Sequence, residues 1–528
     1  MKDTHKYGWL AFIPAGIACF YFFLHTCPYH LLHKEQTTLF VYAAETLSSY
    51  LDKPAVLSCL AGDYLTQFFR TPVTASALMG GMMLLTGLVY YAVFRKWMNA
   101  WLAILPAFII IFWETMRSCG LLYPLSSSVS LIGGGGLYLI YDLIKNKYLR
   151  IGAGFVGIIL GYWLFGYGVF IFLIFLLLSS IKSRKDILWT CLAVLATIAI
   201  PGIFSRNYLL TYSQACQYPA TSWWDTPPNP LFERLTGLDI EAEAGHWEKV
   251  RKLSFPDERI SACSYYYNLA NAAENKLPDG LMNYYQPGAE GLFMPISSAS
   301  SYLSALFANE VWFRLDDMTM AEHATILGMI FSPNHTGSRM VKRMAEINLI
   351  NGDNEAAMKY LRILSKTRFY SQWAKDRIPG KESEPVKQWL KEKRAFIPQS
   401  DTIRTSTVDV VKSLRLLLKS NPDNRMARDY LLCLHLLAKN LTAFMEDYVA
   451  EPGKAPKRLY AEALMINLVR RQATGDEIRE TVIEPTVVKD FKEYSRLHRQ
   501  SKGNPQALVG KFGNMIIRMM SVDLLNII

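Results

Sequence analysis

Charged residues are scarce in the first 204 residues of this chain. They include only 14 Lys/Arg and 8 Asp/Glu, whereas residues 205–528 contain 42 and 37. The chain as a whole is 51% apolar and 19% charged, a composition too apolar for an ordinary soluble protein. The scarcity of charge therefore predicts a membrane-embedded domain over residues 1–204 and a water-soluble part after it.

The chain also lacks the motifs of several common sites. Its eight cysteines include no C-x-x-C pair, which argues against zinc and redox spacings and favours small buried side chains. No Gly-Lys-Ser/Thr follows the four glycines at 133–136, so they are not a phosphate loop, and close helix packing or a local break is favoured over a ligand contact. The net charge of +11 forms no basic stripe with interleaved aromatics, which argues against a nucleic-acid partner.

Long apolar runs predict a series of membrane spans. The first is "YGWLAFIPAGIACFYFFL", which follows two lysines without a cleavage site and so favours an uncleaved signal anchor. Further runs have about the length that a hydrocarbon layer of about 30 Å requires, and they lie near 75–94, 98–114, 121–143 and 187–204. The uncharged residues 151–181 are ambiguous. They fit one helix of about 46 Å or a hairpin of two short spans turning near 166–168.

Basic residues distinguish these two alternatives. A hairpin places ten of the 14 Lys/Arg of the first part on one side of the membrane. The positive-inside rule then selects about seven spans, with the N-terminus cytoplasmic and the C-terminal part extracytoplasmic. A single helix would place the C-terminal part in the cytoplasm. We therefore predict an all-α protein of the bacterial inner membrane, with a polytopic domain at 1–204 and an external loop at 29–74.

The C-terminal half has helical periodicity. The proline-rich residues 205–236 are predicted to be a juxtamembrane linker, and 237–528 a soluble domain. Within the latter, "RMVKRMAEINLINGDNEAAMKYLRIL" has a helix, a Gly-Asp turn and a second helix carrying Ala357 and Tyr360. This unit resembles a tetratricopeptide repeat, with weaker and irregularly spaced copies elsewhere. The resemblance implies a degenerate helical-repeat domain that binds a protein or peptide partner.

One polar cluster follows the first predicted span. The stretch "HLLHKEQTTLF" places His30, His33, Lys34 and Glu35 within six residues. His30 and His33 can share a helical face and, with Glu35, form a metal site. Alternatively, the stretch occupies the lipid headgroup region and membrane lipid is its partner.

The layout of the membrane part resembles that of C-superfamily glycosyltransferases, which have a first span followed by a long external loop. The resemblance implies a polyprenyl-phosphate sugar donor and an acidic general base in that loop, for which Glu35 is the first candidate, followed by Asp52 and Asp63. Arg70 and Arg117 are candidates for the lipid phosphate. A divalent metal enters only under this hypothesis, and the loop lacks the D-x-D or E-x-D pair of that family.

The whole chain also resembles bacterial multispan membrane proteins with tetratricopeptide-like tails, a family that implies no activity. We therefore expect a multi-pass protein that presents its C-terminal domain for partner binding or envelope assembly. The alternative is a membrane glycosyltransferase that uses a lipid-linked sugar.

Overall fold

The structure is a computed structural model. It describes residues 8–180, 187–220, 228–255, 259–295, 302–332, 335–398, 410–450, 454–474, 476–477 and 483–501. The elements in these ranges are helices, and the ranges contain no β-strand. The all-α prediction is therefore confirmed over this part of the chain.

The described residues before 220 form eleven α-helices. A short 3-10 turn, Gly8–Ala11, leads into the first of them. They are α1 (Phe12–Thr26), α2 (Pro28–Gln36), α3 (Ala44–Ser49), α4 (Val56–Thr66), α5 (Pro72–Phe94), α6 (Ala100–Ser118), α7 (Leu125–Asp142), α8 (Lys147–Phe165), α9 (Gly168–Ser180), α10 (Ile187–Asn207) and α11 (Tyr212–Gln217).

The described residues beyond 220 form a further run of mostly short helices. They are α12 (Pro230–Glu243), α13 (Trp247–Ser254), α14 (Ser261–Ala273), α15 (Leu277–Gly280), α16 (Tyr302–Arg314), α17 (Met318–Phe331), α18 (Ser338–Asn351), α19 (Asn354–Ser365), α20 (Ser371–Lys375), α21 (Glu384–Arg394), α22 (Val410–Ser420), α23 (Arg425–Leu437), α24 (Leu441–Asp447), α25 (Arg458–Arg470) and α26 (Pro485–Gln500).

Four helical segments in the described part are long and apolar enough to cross a membrane. They are Gly8–Thr26, Pro72–Phe94, Ala100–Ser118 and Tyr148–Phe165. Three shorter apolar helices accompany them: Val56–Thr66, Gly168–Ser180 and Cys191–Asn207. A span needs about 20 apolar residues, so these segments indicate membrane association. The layout of about seven spans remains a prediction.

The ambiguous residues 151–181 form two helices rather than one. Helix α8 ends at Phe165 and α9 begins at Gly168. Gly166, between them, has a φ of +54°, and a Cβ there would lie 2.2 Å from the carbonyl oxygen of Tyr218. Both the left-handed backbone and the close approach require glycine. The break occurs where the hairpin alternative placed it.

The four glycines of α7 lie inside an unbroken helix. A Cβ at Gly133 would meet the ring of Phe165 at 2.1 Å, and one at Gly134 would meet the carbonyl oxygen of Gly168 at 2.3 Å. A Cβ at Gly136, by contrast, would meet nothing within 4 Å. Small residues let helix backbones approach closely. Close packing against neighbouring helices therefore accounts for the first part of this run.

Helices α1 and α6 run side by side in the same direction. The rings of Phe12 and Phe108 stack at 5.2 Å, and Cys19 Sγ lies 3.6 Å from Thr115 Oγ1. The later residue of α1 contacts the later residue of α6, so the two helices are parallel. Their C-terminal ends consequently lie at the same end of the helix bundle.

The chain divides into two compact units. Unit 1 comprises Met1–Thr236, Ser332–Ala345 and Glu355–Glu382, and unit 2 comprises Gly237–Phe331, Glu346–Asn354 and Ser383–Ile528. Two segments of the predicted C-terminal domain are therefore part of the unit that contains the apolar helices. The chain passes between the units at 236/237, 331/332, 345/346, 354/355 and 382/383.

The segment that resembles a tetratricopeptide repeat is divided between the two units. Helix α18 continues across 345/346, and α19 begins just before 354/355. The turn between the helices contains Gly352 at φ +83°, where the Gly-Asp turn was expected. The repeat assignment itself remains a prediction.

Unit 2 has its own core of aromatic and aliphatic side chains. Tyr265 and Trp312 are fully buried. The hydroxyl of Tyr265 donates to the carbonyl oxygen of Phe307 at 2.8 Å, and the hydroxyl of Tyr266 donates to Asp239 Oδ1 at 2.6 Å. Buried hydroxyls are stable in a core only when they are hydrogen-bonded, and these bonds satisfy them.

Candidate functional site

The polar cluster after the first predicted span lies on α2, inside unit 1. Proline at position 28 starts this helix after a bend at Cys27. The side chains of His30, His33, Lys34 and Glu35 are only 1, 3, 8 and 6% exposed. The headgroup interpretation expected such side chains at a surface. The structure instead encloses them in protein, where a charged group must have partners.

Glu233 caps the N-terminus of α2. Its carboxylate accepts the backbone N–H of Tyr29 at 2.7 Å and that of His30 at 3.0 Å, and it also bonds to His30 Nδ1. The first N–H groups of a helix point out of its N-terminus, where an anion is favoured by the helix dipole. Glu233 was not predictable as a partner of α2, because it lies more than 200 positions away on α12.

Lys34 binds the opposite kind of helix end. Its Nζ donates to the carbonyl oxygen of Ser118, the last residue of α6, at 2.7 Å. The final carbonyls of a helix are unpaired within it and carry partial negative charge. The amine therefore joins α2 to the end of a candidate membrane span.

Glu35 is joined to a segment that is distant in sequence. The Tyr370 hydroxyl donates to Glu35 Oε1 at 2.8 Å, and its oxygen lies 3.1 Å from Ser338 Oγ. Ser338 Oγ in turn donates to the backbone oxygen of Glu35 at 3.2 Å. Burial, and then the charge of Glu35, raise the pKa of Tyr370 well above its usual value. Tyr370 therefore remains a protonated donor to the carboxylate.

His33 is held in its neutral form. Burial lowers its pKa to about 3, and electrostatic interactions with His30, Arg339 and Lys34 act in the same direction. Desolvation and like charge both disfavour the protonated ring. The imidazole is therefore an uncharged member of a cluster that otherwise carries several cations.

The two predicted phosphate-binding arginines occupy different environments. Arg70 is exposed, and its guanidinium lies 5.2 Å from the ring centres of both Phe369 and Tyr370. Arg117 is buried, with its guanidinium 5.1 Å from the ring centre of Trp113 and 4.6 Å from that of Tyr123. Arginine stacks favourably on aromatic faces. The structure therefore places Arg70 beside the Tyr370–Glu35 contact and Arg117 near the end of α6.

A second buried carboxylate, Glu114, lies close to Arg117. It is 1% exposed and accepts the Tyr123 hydroxyl at 3.0 and 3.1 Å and Ser128 Oγ at 2.5 Å. The charges of Arg117 and Lys34 both act on it. Sequence analysis counted Glu114 only in the charge balance, although an acidic residue near the end of an apolar run was a usable signal.

The other two acidic candidates do not share the environment of Glu35. Asp52 is exposed. Asp63 is half-buried on α4 and accepts the Tyr50 hydroxyl at 2.9 Å. Burial raises the pKa of Asp63 to about 6, against the opposing effects of the Tyr50 hydrogen bond and the Lys53 charge. Asp63 thus forms a separate group with Tyr50.

The predicted metal ligands have other partners. His30 bonds to Glu233 and Glu35 to Tyr370. Over the ranges that the structure describes, no three His, Cys, Asp or Glu side chains are placed to hold a metal ion. The contacts of this cluster are hydrogen bonds that join α2 to distant parts of unit 1.

The chain belongs to the family described as "Family of unknown function (DUF6057)", whose family model matches residues 4–515. No curated protein and no solved structure matches the chain.

Proposed function

We propose that this member of the family is a multi-pass protein of the bacterial inner membrane that anchors and presents helical unit 2 on the extracytoplasmic side. Unit 2 there binds a protein or peptide partner in envelope assembly. One observation supports this proposal above the others. Residues 332–345 and 355–382 belong to the same compact unit as the apolar helices, and α2 is bonded to both of them.

Main-chain contacts fix the first of these segments to the end of α2 and to the residues that follow it. The N–H of Ser338 donates to the carbonyl oxygen of Thr38 at 3.0 Å. A Cβ at Gly337 would lie 2.9 Å from the carbonyl oxygen of Gln36, so the two backbones are nearly in contact. The second segment is fixed similarly, because the N–H of Tyr42 donates to the carbonyl oxygen of Lys366 at 2.8 Å.

Buried side chains add to this attachment. The hydrogen bond from Tyr370 to Glu35 involves a charged acceptor, and such bonds stabilise by about 1.5–3 kcal/mol. The exposed Arg70 lies across the rings of Phe369 and Tyr370. A charged cluster that served only as a surface anchor would not need aromatic and hydroxyl partners from residues 355–382.

The chain connectivity also supports presentation, because unit 2 is joined to unit 1 at more than one point of the sequence. If unit 2 were joined by a single linker, the chain would pass from unit 1 to unit 2 only once. It instead passes between the units at five positions. Segments that return to unit 1 give unit 2 several attachment points along its sequence.

The first experiment tests sidedness. A reporter enzyme that is active only outside the cytoplasm is fused after Ser205, and we expect activity. An inactive fusion would refute both the extracytoplasmic unit 2 and the transferase layout.

The second experiment tests partner binding in living cells. A photo-crosslinking residue replaces exposed lysines of unit 2, such as Lys412 and Lys419, and exposed Lys359 of unit 1 serves as the matched control. We expect one adduct of defined mass at clustered unit 2 positions and none at Lys359. Equal adducts in both units, or none, would contradict the proposal.

The second candidate function is transfer of a sugar from a polyprenyl-phosphate donor. It is favoured by two buried carboxylates, those of Glu35 and Glu114. Both lie near the C-terminal ends of α1 and α6, where Lys34 and Arg117 supply positive charge. Ionisable groups buried beside apolar spans commonly have a function. In this hypothesis Glu35 acts as the general base on the acceptor, a cation binds the phosphate, and a divalent metal is a further possible requirement.

Glu35→Gln separates the two functions. The transferase hypothesis expects this variant to insert normally but to lose turnover of the lipid-linked sugar, with changed envelope glycans. Glycans that are unchanged both in the variant and in a full deletion would refute the transferase hypothesis. The presentation proposal expects unchanged glycans and a less stable attachment of residues 355–382.

A further inference from the structure

Two cysteines meet where α2 begins and where α6 ends. Cys27 lies between α1 and α2, and Cys119 directly follows the last residue of α6. Each is only 1% exposed, and both belong to the same apolar core of unit 1. The Cys27 thiol makes a side-chain hydrogen-bond contact with the Cys119 thiol. They are 92 positions apart in sequence, so no local motif pairs them.

Independent contacts agree with this juxtaposition. The parallel arrangement of α1 and α6, seen at Phe12–Phe108 and Cys19–Thr115, brings the two helix ends together. Lys34 on α2 donates to the carbonyl oxygen of Ser118, the residue just before Cys119. The sulfur contact is thus held between elements that are joined at other points as well.

The Cys119 thiol also donates to the carbonyl oxygen of Thr115 at 3.3 Å. Two other buried cysteines of unit 1 have partners outside the Cys27–Cys119 pair. Cys19 contacts the Thr115 hydroxyl, and Cys59 contacts the Tyr218 hydroxyl. A disulfide requires two cysteine side chains that face each other, and the hydrogen-bond contact between Cys27 and Cys119 shows that these two do. The parallel helices also place both cysteines on the same side of any membrane that α1 and α6 cross.

We propose that Cys27 and Cys119 form a disulfide that joins the start of α2 to the end of α6 on the extracytoplasmic side. The sidedness of this proposal rests on the proposed function, because disulfides persist in oxidising compartments. The bond would fix α2, and with it the cluster that holds residues 332–345 and 355–382, to a candidate membrane span.

The chemistry needs an external oxidant, which we assign to an oxidised dithiol carrier protein of the envelope. The thiolate of one cysteine attacks the disulfide of the carrier, which forms a mixed disulfide and releases one carrier thiolate. The thiolate of the second cysteine then attacks the mixed disulfide and displaces the other carrier thiolate. Two electrons pass to the carrier, and the two protons lost by the cysteines end on its reduced thiols.

The burial of the pair sets when this exchange takes place. The hydrogen bond with Cys119, together with burial, raises the pKa of the Cys27 thiol. Few thiolates are then available in the folded protein, and thiolate is the reactive form. We therefore expect the bond to form during folding, before α2 packs against α6, and to resist reductants until the protein is denatured.

Differential alkylation of full-length protein from cells tests the proposal. The protein is acid-quenched, denatured in SDS and alkylated without reductant, and we expect labelling of six of the eight cysteines. A linked peptide containing Cys27 and Cys119 should have the summed mass minus two hydrogens. Reduction should make all eight cysteines reactive. In the Cys27→Ala variant all seven remaining cysteines should be labelled without reductant, whereas the control Cys19→Ala should retain the linked peptide.

The outcomes separate the disulfide from the proposed function. Labelling of both Cys27 and Cys119 without reductant, with an active reporter after Ser205, would refute the disulfide and leave the topology intact. An inactive reporter together with a linked peptide would support the disulfide and refute the topology. If Cys27→Ala does not fold, the wild-type peptide measurement still decides the question.

Discussion

The contact between Tyr370 and Glu35 gives the sharpest test of how residues 355–382 are held on α2. Tyr370→Phe removes only the hydroxyl that donates to Glu35 at 2.8 Å. A hydrogen bond to a charged, buried acceptor contributes about 1.5–3 kcal/mol. Since Glu35 is 6% exposed, water cannot readily replace the lost donor. We therefore expect the free energy of unfolding to fall by about 2 kcal/mol.

A double-mutant cycle shows whether this loss belongs to the pair. Glu35→Gln keeps an oxygen acceptor but removes the charge, so the remaining bond to Tyr370 should be worth about 1 kcal/mol. The double variant should then lose less than the sum of the two single variants. Contacting, hydrogen-bonded residues have coupling energies of about 0.5–3 kcal/mol, and we expect about 1 kcal/mol here.

The assay is reversible unfolding of the purified full-length protein in mixed micelles with increasing SDS, followed by helical circular dichroism. Tyr64→Phe is the matched control, because this tyrosine is exposed in the same unit and its substitution should change stability by less than about 0.5 kcal/mol. Two results together would refute the attachment of residues 355–382 through Glu35. Tyr370→Phe would lower the free energy of unfolding no more than the control does, and the effects of Tyr370→Phe and Glu35→Gln would be additive.

Three further predictions concern the same unit. Glu233→Gln should lower the free energy of unfolding by about 1–2 kcal/mol, because α2 and His30 lose a capping anion. Amide hydrogen exchange at the start of α2 should become faster, and unchanged exchange would contradict this prediction. His33 has its pKa lowered to about 3 by burial and then by neighbouring positive charge, so only the unfolded chain binds this proton between about pH 6.5 and 3. Stability should fall as pH falls through that window, by up to about 1.4 kcal/mol per pH unit, and His33→Gln should flatten the slope in unfolding series at several pH values. Gly134→Ala should lower the free energy of unfolding by more than about 2 kcal/mol, because its Cβ would overlap the backbone of α9. Gly136→Ala faces open space and should be neutral or stabilising. Equal shifts of the melting temperature in the two variants would contradict the packing.

Features set by local sequence were predictable. The all-α class follows from the length and period of the apolar runs, which act within single elements. The break at Gly166 was also accessible, because a 31-residue uncharged stretch is too long for one span and glycines mark its centre. The close packing of Gly133 and Gly134 follows from residue size alone.

The partners of the polar cluster were not predictable in the same way. Glu35 bonds to Tyr370 at a separation of more than 300 positions, and His30 bonds to Glu233 at more than 200. A single sequence contains no local pattern that links such residues. The polar composition of α2 also resembled a surface segment, because composition does not report what packs around a helix. The grouping of residues 332–345 and 355–382 with unit 1 was missed for the same reason.

The buried charges of α2 follow from its geometry. At 100° per residue, His30, His33, Lys34 and Glu35 occupy about 200° of the helix circumference, and all are buried. A nine-residue helix covered over so wide an arc is enclosed by protein rather than lying on a surface. Removing one of these side chains leaves its buried hydrogen-bond partner unsatisfied, at a cost of about 1–3 kcal/mol. Substitution of Glu35 should therefore disturb the attachment of residues 355–382, whereas substitution of Lys34 should disturb the contact between α2 and the end of α6.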